Sequence, residues 1–91
     1  MHIYWLPSSR SDVARLYDFL FVVNPLAAAR KIDELLDSIE KLPDFPRVGS
    51  HLDRFAPREV RSWIFGDYEV QYEIATKGLI ILRIWQVRED R

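Results

Sequence analysis

The dipeptide Asn24–Pro25 limits the folds open to this chain more than any other feature. Proline restricts the residue before it to extended conformations, so a helix arriving from the N-terminal side must end at Asn24. Asn24 can then cap a second helix with Pro25 at its first position, where a missing N–H costs nothing. Both flanks carry the helical period. Upstream, Val13, Leu16, Tyr17, Leu20 and Val23 recur at i, i+3, i+4, i+7 and i+10, behind a Pro7–Asp12 stretch that offers several N-caps. Phe19, Phe21 and Val22 widen that face, which predicts burial of the last turns on more than one side. Downstream, Ala28, Ile32, Leu35, Leu36, Ile39 and Leu42 share a face. The opposite face is charged, with Asp37 and Lys41 spaced for an i,i+4 pair, and Pro43–Pro46 ends the helix. Two amphipathic helices with so short a break fold back as an antiparallel hairpin.

Such a hairpin needs a second layer to cover its apolar face. His2–Leu6, β-branched and aromatic and stopped by Pro7, reads as a first strand. Residues 46–57 read as a loop with little regular structure. Beyond it, Arg58–Phe65, Tyr68–Ala75 and Leu79–Val87 read as strands joined by turns at Gly66–Asp67 and Thr76–Gly78. In the middle strand Tyr68, Val70, Tyr72 and Ile74 alternate with Glu69, Gln71 and Glu73, so one face is buried and one is wet. The last strand hardly alternates and should be central or covered on both sides. The expected architecture is one α+β domain over residues 1–91: an N-terminal strand, an antiparallel two-helix hairpin, then a three-stranded antiparallel β-meander.

Composition closes several doors. Cysteine is absent, which excludes disulfides and thiolate chemistry and fits a reducing cytoplasm. The N-terminus lacks the pattern of a signal peptide, and no apolar run approaches the ~20 residues of a membrane span. A net charge of −1 argues against a protein that binds nucleic acid by itself. None of the three glycines lies within ten residues of another, so no phosphate-cradling loop can form. His2 and His51 lack neighbours at metal-ligand spacing, and no nucleophile elbow is present. No metal and no cofactor is expected.

The arginines need weighing. Arg54, Arg58 and Arg61 lie on or before one strand, and Arg83, Arg88 and Arg91 on the last strand and its tail. They could converge as an anion-binding patch. Cross-strand pairing of Arg58 and Arg61 with Glu59, Glu69 and Glu73 is the more economical reading. Arg83, inside an apolar strand, requires a carboxylate partner. The three tryptophans are read first as core or sheet-face residues.

Beyond these readings, the order of short marks resembles a family. "NPLAAARKIDELLDSIEKLPDFPRVG" is followed by "REVRSW", by "GDYEVQYEI" with its G-x-Y-x-x-x-Y spacing, and by a terminal "ILRIWQVREDR". Together they cover the chain from Trp5 to Arg91 and resemble the RelE/ParE superfamily of toxins from bacterial type II toxin–antitoxin modules. The resemblance implies a cognate antitoxin that lays apolar side chains into a groove between helices and sheet, bordered here by Val13, Tyr17 and Leu20. It also implies one of two targets. RelE-like members cut mRNA on the ribosome with basic residues and an acid or base group. ParE-like members poison DNA gyrase.

Three departures favour the second. Glu69 stands where the RelE-like pattern has Arg, and a carboxylate there repels a phosphate. Gln86 stands where related sequences carry His, and Gln cannot shuttle a proton. The sequence ending at Arg91 leaves no C-terminal helix of the nuclease kind. The expectation is therefore a ParE-like gyrase inhibitor of the plasmid-stabilization type, with no catalytic residue of its own. Arg58, Arg61, Arg88 and Arg91 are the candidates for target contact. The alternatives are a ribosome-dependent mRNA endonuclease with Arg58, Arg61 and Arg88 on the phosphate, and an inactive relic that only binds antitoxin.

Overall fold

A computed structural model describes residues 1–89. Its elements are β1 (Ile3–Trp5), α1 (Pro7–Val23), α2 (Pro25–Glu40), β2 (Ser50–His51), β3 (Glu59–Phe65), β4 (Tyr68–Ala75) and β5 (Gly78–Gln86), with 3-10 turns at Leu42–Asp44 and Asp53–Phe55. The strands form one sheet in the order β1-β5-β4-β3-β2. β1 runs parallel to β5, and every other pair is antiparallel. This is the expected α+β arrangement of strand, helical hairpin and meander. β5 lies between β1 and β4 over its first half, where its apolar run is deepest, and is an edge strand beyond Ile81.

Asn24 ends α1 and caps α2: its Oδ1 accepts the Ala27 N–H at 3.1 Å, with Pro25 at the first helical position. α1 begins earlier than expected. Leu6 is extended and Pro7 takes the first position, where its fixed φ suits a helix. Ser8, Ser9 and Asp12 therefore lie inside the helix and do not cap it. Asp37 and Lys41, the C-cap of α2, form no ion pair among the described residues.

The core lies between the hairpin and one sheet face. α2 buries Ala28, Ile32, Leu35 and Ile39, followed by Leu42 from the next turn, against Tyr68, Val70, Tyr72, Leu79, Ile81 and Ile84. α1 differs from expectation. Leu16 is its one fully buried apolar residue, and Phe19, Phe21 and Val22 are 57%, 47% and 85% exposed. The helix is about 25 Å long, and its side-chain bonds to β5 come from its first half, at Ser8, Asp12 and Arg15. Full burial ends at Leu16 on α1, with Tyr17 and Leu20 half-buried beyond it, and resumes at Ala28 on α2, so the residues around the turn, Phe21 to Leu26, are exposed. An apolar period identifies a helix face but not whether the second layer reaches it.

Two further details shape the sheet. β2 was not visible as a strand because it is two polar residues long, Ser50 and His51 opposite Ser62 and Arg61. Gln71, expected to be wet, is buried opposite Arg83 on the open face. The register steps from Gln71↔Arg83 to Tyr72↔Ile81, which leaves Leu82 as the extra residue of a bulge. Gly78 permits the parallel β1–β5 contact, since a Cβ there would sit 2.4 Å from the His2 carbonyl oxygen at φ +151°. Among the described residues no helix is long and apolar enough to cross a membrane.

Candidate functional site

β1 ends at Trp5, opposite Ile81. Beyond that point the edge of β5 has no strand beside it, and its backbone groups need other partners. Side chains of α1 supply them. Ser8 Oγ donates to the Leu82 carbonyl at 2.9 Å, Asp12 Oδ2 accepts the Ile84 N–H at 2.8 Å, and Arg15 Nη2 donates to the Ile84 carbonyl at 3.1 Å. The spacing i, i+4, i+7 puts all three on one stripe of the helix. Glu89 completes the edge by accepting the Gln86 N–H at 2.8 Å.

Arg83 has its carboxylate: its Nε and Nη2 reach Asp12 at 2.8 and 3.2 Å. The expectation of a buried arginine is reversed, because the Arg83 side chain is 44% exposed and that of Asp12 only 3%. The buried charge is the acid. Burial raises the Asp12 pKa, but hydrogen bonds from Arg83, the Ile84 N–H and Arg15 outweigh it and hold the carboxyl below the usual aspartate range. Arg15 also grips Glu89 in a fork, at 3.1 and 3.0 Å, and ties the tail back to α1. Burial opposes ionisation of Glu89 as well, and Arg15 with the Gln86 N–H wins, so its pKa is lowered.

The arginines singled out for target contact are not brought together. Arg58 binds Glu73 at 2.7 and 3.2 Å. Arg61 binds Glu59 at 2.9 Å and the Gly49 carbonyl at 2.7 Å, and Arg47 shares Glu59. Hydrogen bonds from Arg47 and then Arg61 lower the Glu59 pKa. Arg61 pairs across the sheet with Tyr72, and Glu73 follows on the other face, so Arg58 and Arg61 are bonded on opposite faces. Arg88 follows β5, where Gln86 is level with Tyr68 and Phe65. That is roughly 20 Å along the sheet from Glu59. Arg88 is exposed and has no ion pair among the described residues. Arg91 lies outside the described residues.

Glu69 is bonded by the Ser62 hydroxyl at 2.8 Å. His51 Nδ1, at the end of β2, lies 2.7 Å from Asp53 Oδ1 of the exposed 3-10 turn that follows, and His2 packs on Tyr4. Among the described residues no three His, Cys, Asp or Glu side chains are grouped to hold a metal.

A cleft of about 360 Å³ opens between β1 and the two helices, lined by Trp5, Arg10, Val13, Leu36 and Glu40. Val13 forms part of its floor. Tyr17 and Leu20 are half-buried on the core, and Tyr17 packs on Phe21 at 5.9 Å, so the apolar strip runs on toward the hairpin end. At the far end of α2 the 46–49 loop is pinned by Tyr72, whose hydroxyl donates to the Pro46 carbonyl at 2.8 Å and accepts the Gly49 N–H at 3.0 Å. A Cβ at Gly49 would sit 2.9 Å from both that hydroxyl and the Ser62 carbonyl, which excludes a larger residue.

Ser8, Asp12, Arg15 and Glu89 were not singled out from the sequence. Their signal was a polar stripe on a helix otherwise read for its apolar face, together with Arg83 in an apolar strand.

Comparison with known proteins agrees with this architecture. The profile of the family described as "ParE toxin of type II toxin-antitoxin system, parDE" matches residues 3–91. A solved chain described as the chromosomal ParDE TA system from P. aeruginosa superposes with a TM-score of 0.80 at 20% identity, over 94% of this chain and 95% of that one. At that identity the likeness speaks to the fold. No curated protein matches the sequence.

Proposed function

We propose that this chain, which belongs to the ParE toxin family of type II toxin–antitoxin systems, arrests growth by gripping DNA gyrase in the cytoplasm and does no chemistry of its own. The observation that carries this reading is the pairing of the sheet's arginines with carboxylates: Arg58 with Glu73, Arg61 with Glu59, Arg83 with Asp12. An RNA phosphate arriving here would have to displace a carboxylate from each arginine, and Glu69 adds a further repulsion. A protein surface makes no such demand. Of the residues proposed for target contact, Arg88 is the exposed cation without a carboxylate among the described residues, with Arg91 close to it in sequence. Arg58 and Arg61 would act through groups already bonded.

The cognate antitoxin is proposed to occupy the cleft at Val13 and the strip formed by Tyr17 and Leu20. An apolar side chain seated there would be flanked by Arg10 on one wall and Glu40 on the other.

The experiment is induction of the toxin in bacteria with and without its antitoxin. Expected are covalent gyrase–DNA complexes that antitoxin abolishes, with mRNA intact by primer extension throughout. Codon-positioned mRNA cuts with normal supercoiling would replace this reading with the ribosome-dependent endonuclease. Antitoxin binding with neither effect would leave an inactive relic.

A further inference from the structure

Arg15, Arg47, Arg58, Arg61 and Arg83 each hold a carboxylate. Arg10 and Glu40 differ: both are exposed, and neither has an ion pair among the described residues, with each other or with another group. They nevertheless line the same cleft of about 360 Å³, Arg10 from α1 and Glu40 from α2, together with Trp5, Val13 and Leu36. Those three are partly buried against the core, which fixes the apolar floor. Each charge also stands at the wrong end of its helix. Arg10 closes the first turn of α1, its N–H bonded to the Leu6 carbonyl, and Glu40 is the last residue of α2. A helix dipole favours anions at the first end and cations at the second, so neither side chain is placed there for stability.

The surrounding charges keep the two walls opposite in sign. Beside Glu40 stand Asp37, Lys41 and Asp44, all without an ion pair among the described residues, so the α2 wall is net acidic. On α1, Asp12 and Arg15 are bonded at the β5 seam and Asp18 is more than two turns from Arg10. β1 has no charged side chain, and the Met1 amino group lies roughly 13 Å back along the chain from Trp5. Arg30 and Lys31 lie more than two turns from Glu40.

We propose that Arg10 and Glu40 read the charge polarity of the antitoxin. The segment that seats apolar side chains on Trp5, Val13 and Leu36 carries a carboxylate on its α1 side and a Lys or Arg on its α2 side. This inference rests on the cleft being the antitoxin's seat and adds the chemistry of the occupant. The floor supplies affinity, while the two charges set partner choice and direction. An antitoxin helix laid along the cleft has one charge sign on each flank of its apolar stripe. Turned end for end, it would bring like charges together on both walls. An apolar segment of similar shape without that pattern leaves both charges unpaired, which is how the cleft separates its own antitoxin from another.

The test is titration calorimetry of the purified full chain with its cognate antitoxin, at low and at high salt. Wild type is compared with Arg10→Glu, with Glu40→Arg, and with the exchanged pair Arg10→Glu/Glu40→Arg. Thermal midpoints should hold or rise by a few degrees, since each reversal now suits its helix dipole. At low salt each single reversal is expected to weaken binding about fivefold and the exchange about twentyfold or more, with the differences shrinking at high salt. Stability that holds while affinity falls is a result that a purely structural role would not give. Opposite effects of the two reversals that cancel in the exchange would mean an occupant of one sign and overturn the polarity. Binding unchanged in all three, beside a Val13→Asp variant that binds more weakly below its midpoint, would overturn the role of the charges and leave the cleft as the antitoxin's seat. Binding unchanged in all four would overturn both.

Discussion

Asp12 is the residue on which the α1–β5 seam depends, and its replacement by alanine has a cost that can be worked out. The carboxylate accepts hydrogen bonds from the Ile84 N–H, from two nitrogens of Arg83 and from Arg15. Without it the Ile84 N–H is left in a buried strand with no acceptor, at about 1–3 kcal/mol. Loss of the arginine contacts adds about 1 kcal/mol in all, since the Arg15 and Arg83 side chains are 40% and 44% exposed and rehydrate. The expected loss is about 3 kcal/mol, or roughly 12–24 °C in midpoint for a domain of this size. Asp12→Asn keeps an acceptor for Ile84 and should lose about 1 kcal/mol. The two variants separate the backbone part from the ionic part.

Acid should reveal the same group. Because folding lowers the Asp12 pKa, its stabilisation is complete above the ordinary aspartate value of 3.8 and is lost as pH falls through the lower folded value. The difference between wild type and Asp12→Asn should therefore shrink between pH 5 and pH 2. Urea unfolding followed by tryptophan fluorescence measures both effects. A loss below about 1 kcal/mol for Asp12→Ala, or equal losses for the two variants, would refute the reasoning that these side chains replace a strand.

Three other outcomes are expected. Tyr72→Phe removes both the donor to Pro46 and the acceptor for Gly49, and should cost about 1–3 kcal/mol in the same unfolding assay. Val13→Asp puts a charge in the Trp5–Leu36 cleft, where Val13 packs on the core, so the midpoint should fall, and titration calorimetry below that midpoint should find antitoxin binding weakened by about tenfold or more. Gln86→His should leave growth inhibition unchanged and produce no mRNA cuts in primer extension, since Arg58 and Arg61 are held by carboxylates and Arg88 by itself does not make a phosphate site.

How much of this could be read in the sequence differs by element. The helical hairpin was legible because Asn24–Pro25 acts locally: the cap and the proline fix the break without reference to the rest of the chain. β4 was legible because alternation is a local record of a two-sided environment, and its bounds agree to the residue. The exposed hairpin end was not, since the period of Phe19, Phe21 and Val22 says nothing about how far the sheet extends beneath them. Gln71 shows the same limit from the other direction, a polar residue buried by its neighbours on the open face. The pairing of Arg58 with Glu73 was foreseen from cross-strand charge, and a partner for Arg83 was required by cost. That the partner is Asp12, 71 residues away, needed the fold. Family marks carried the functional reading where residue chemistry alone had stopped.

The most direct test of the account is a cleavage-complex assay with purified gyrase, supercoiled DNA, ATP and this protein, trapped with detergent and resolved on a gel. The account predicts a dose-dependent rise in protein-linked broken DNA with loss of supercoiling, abolished by stoichiometric antitoxin. Gyrase that supercoils at full rate beside a molar excess of the toxin, while programmed ribosomes in a parallel reaction lose their mRNA, would contradict it.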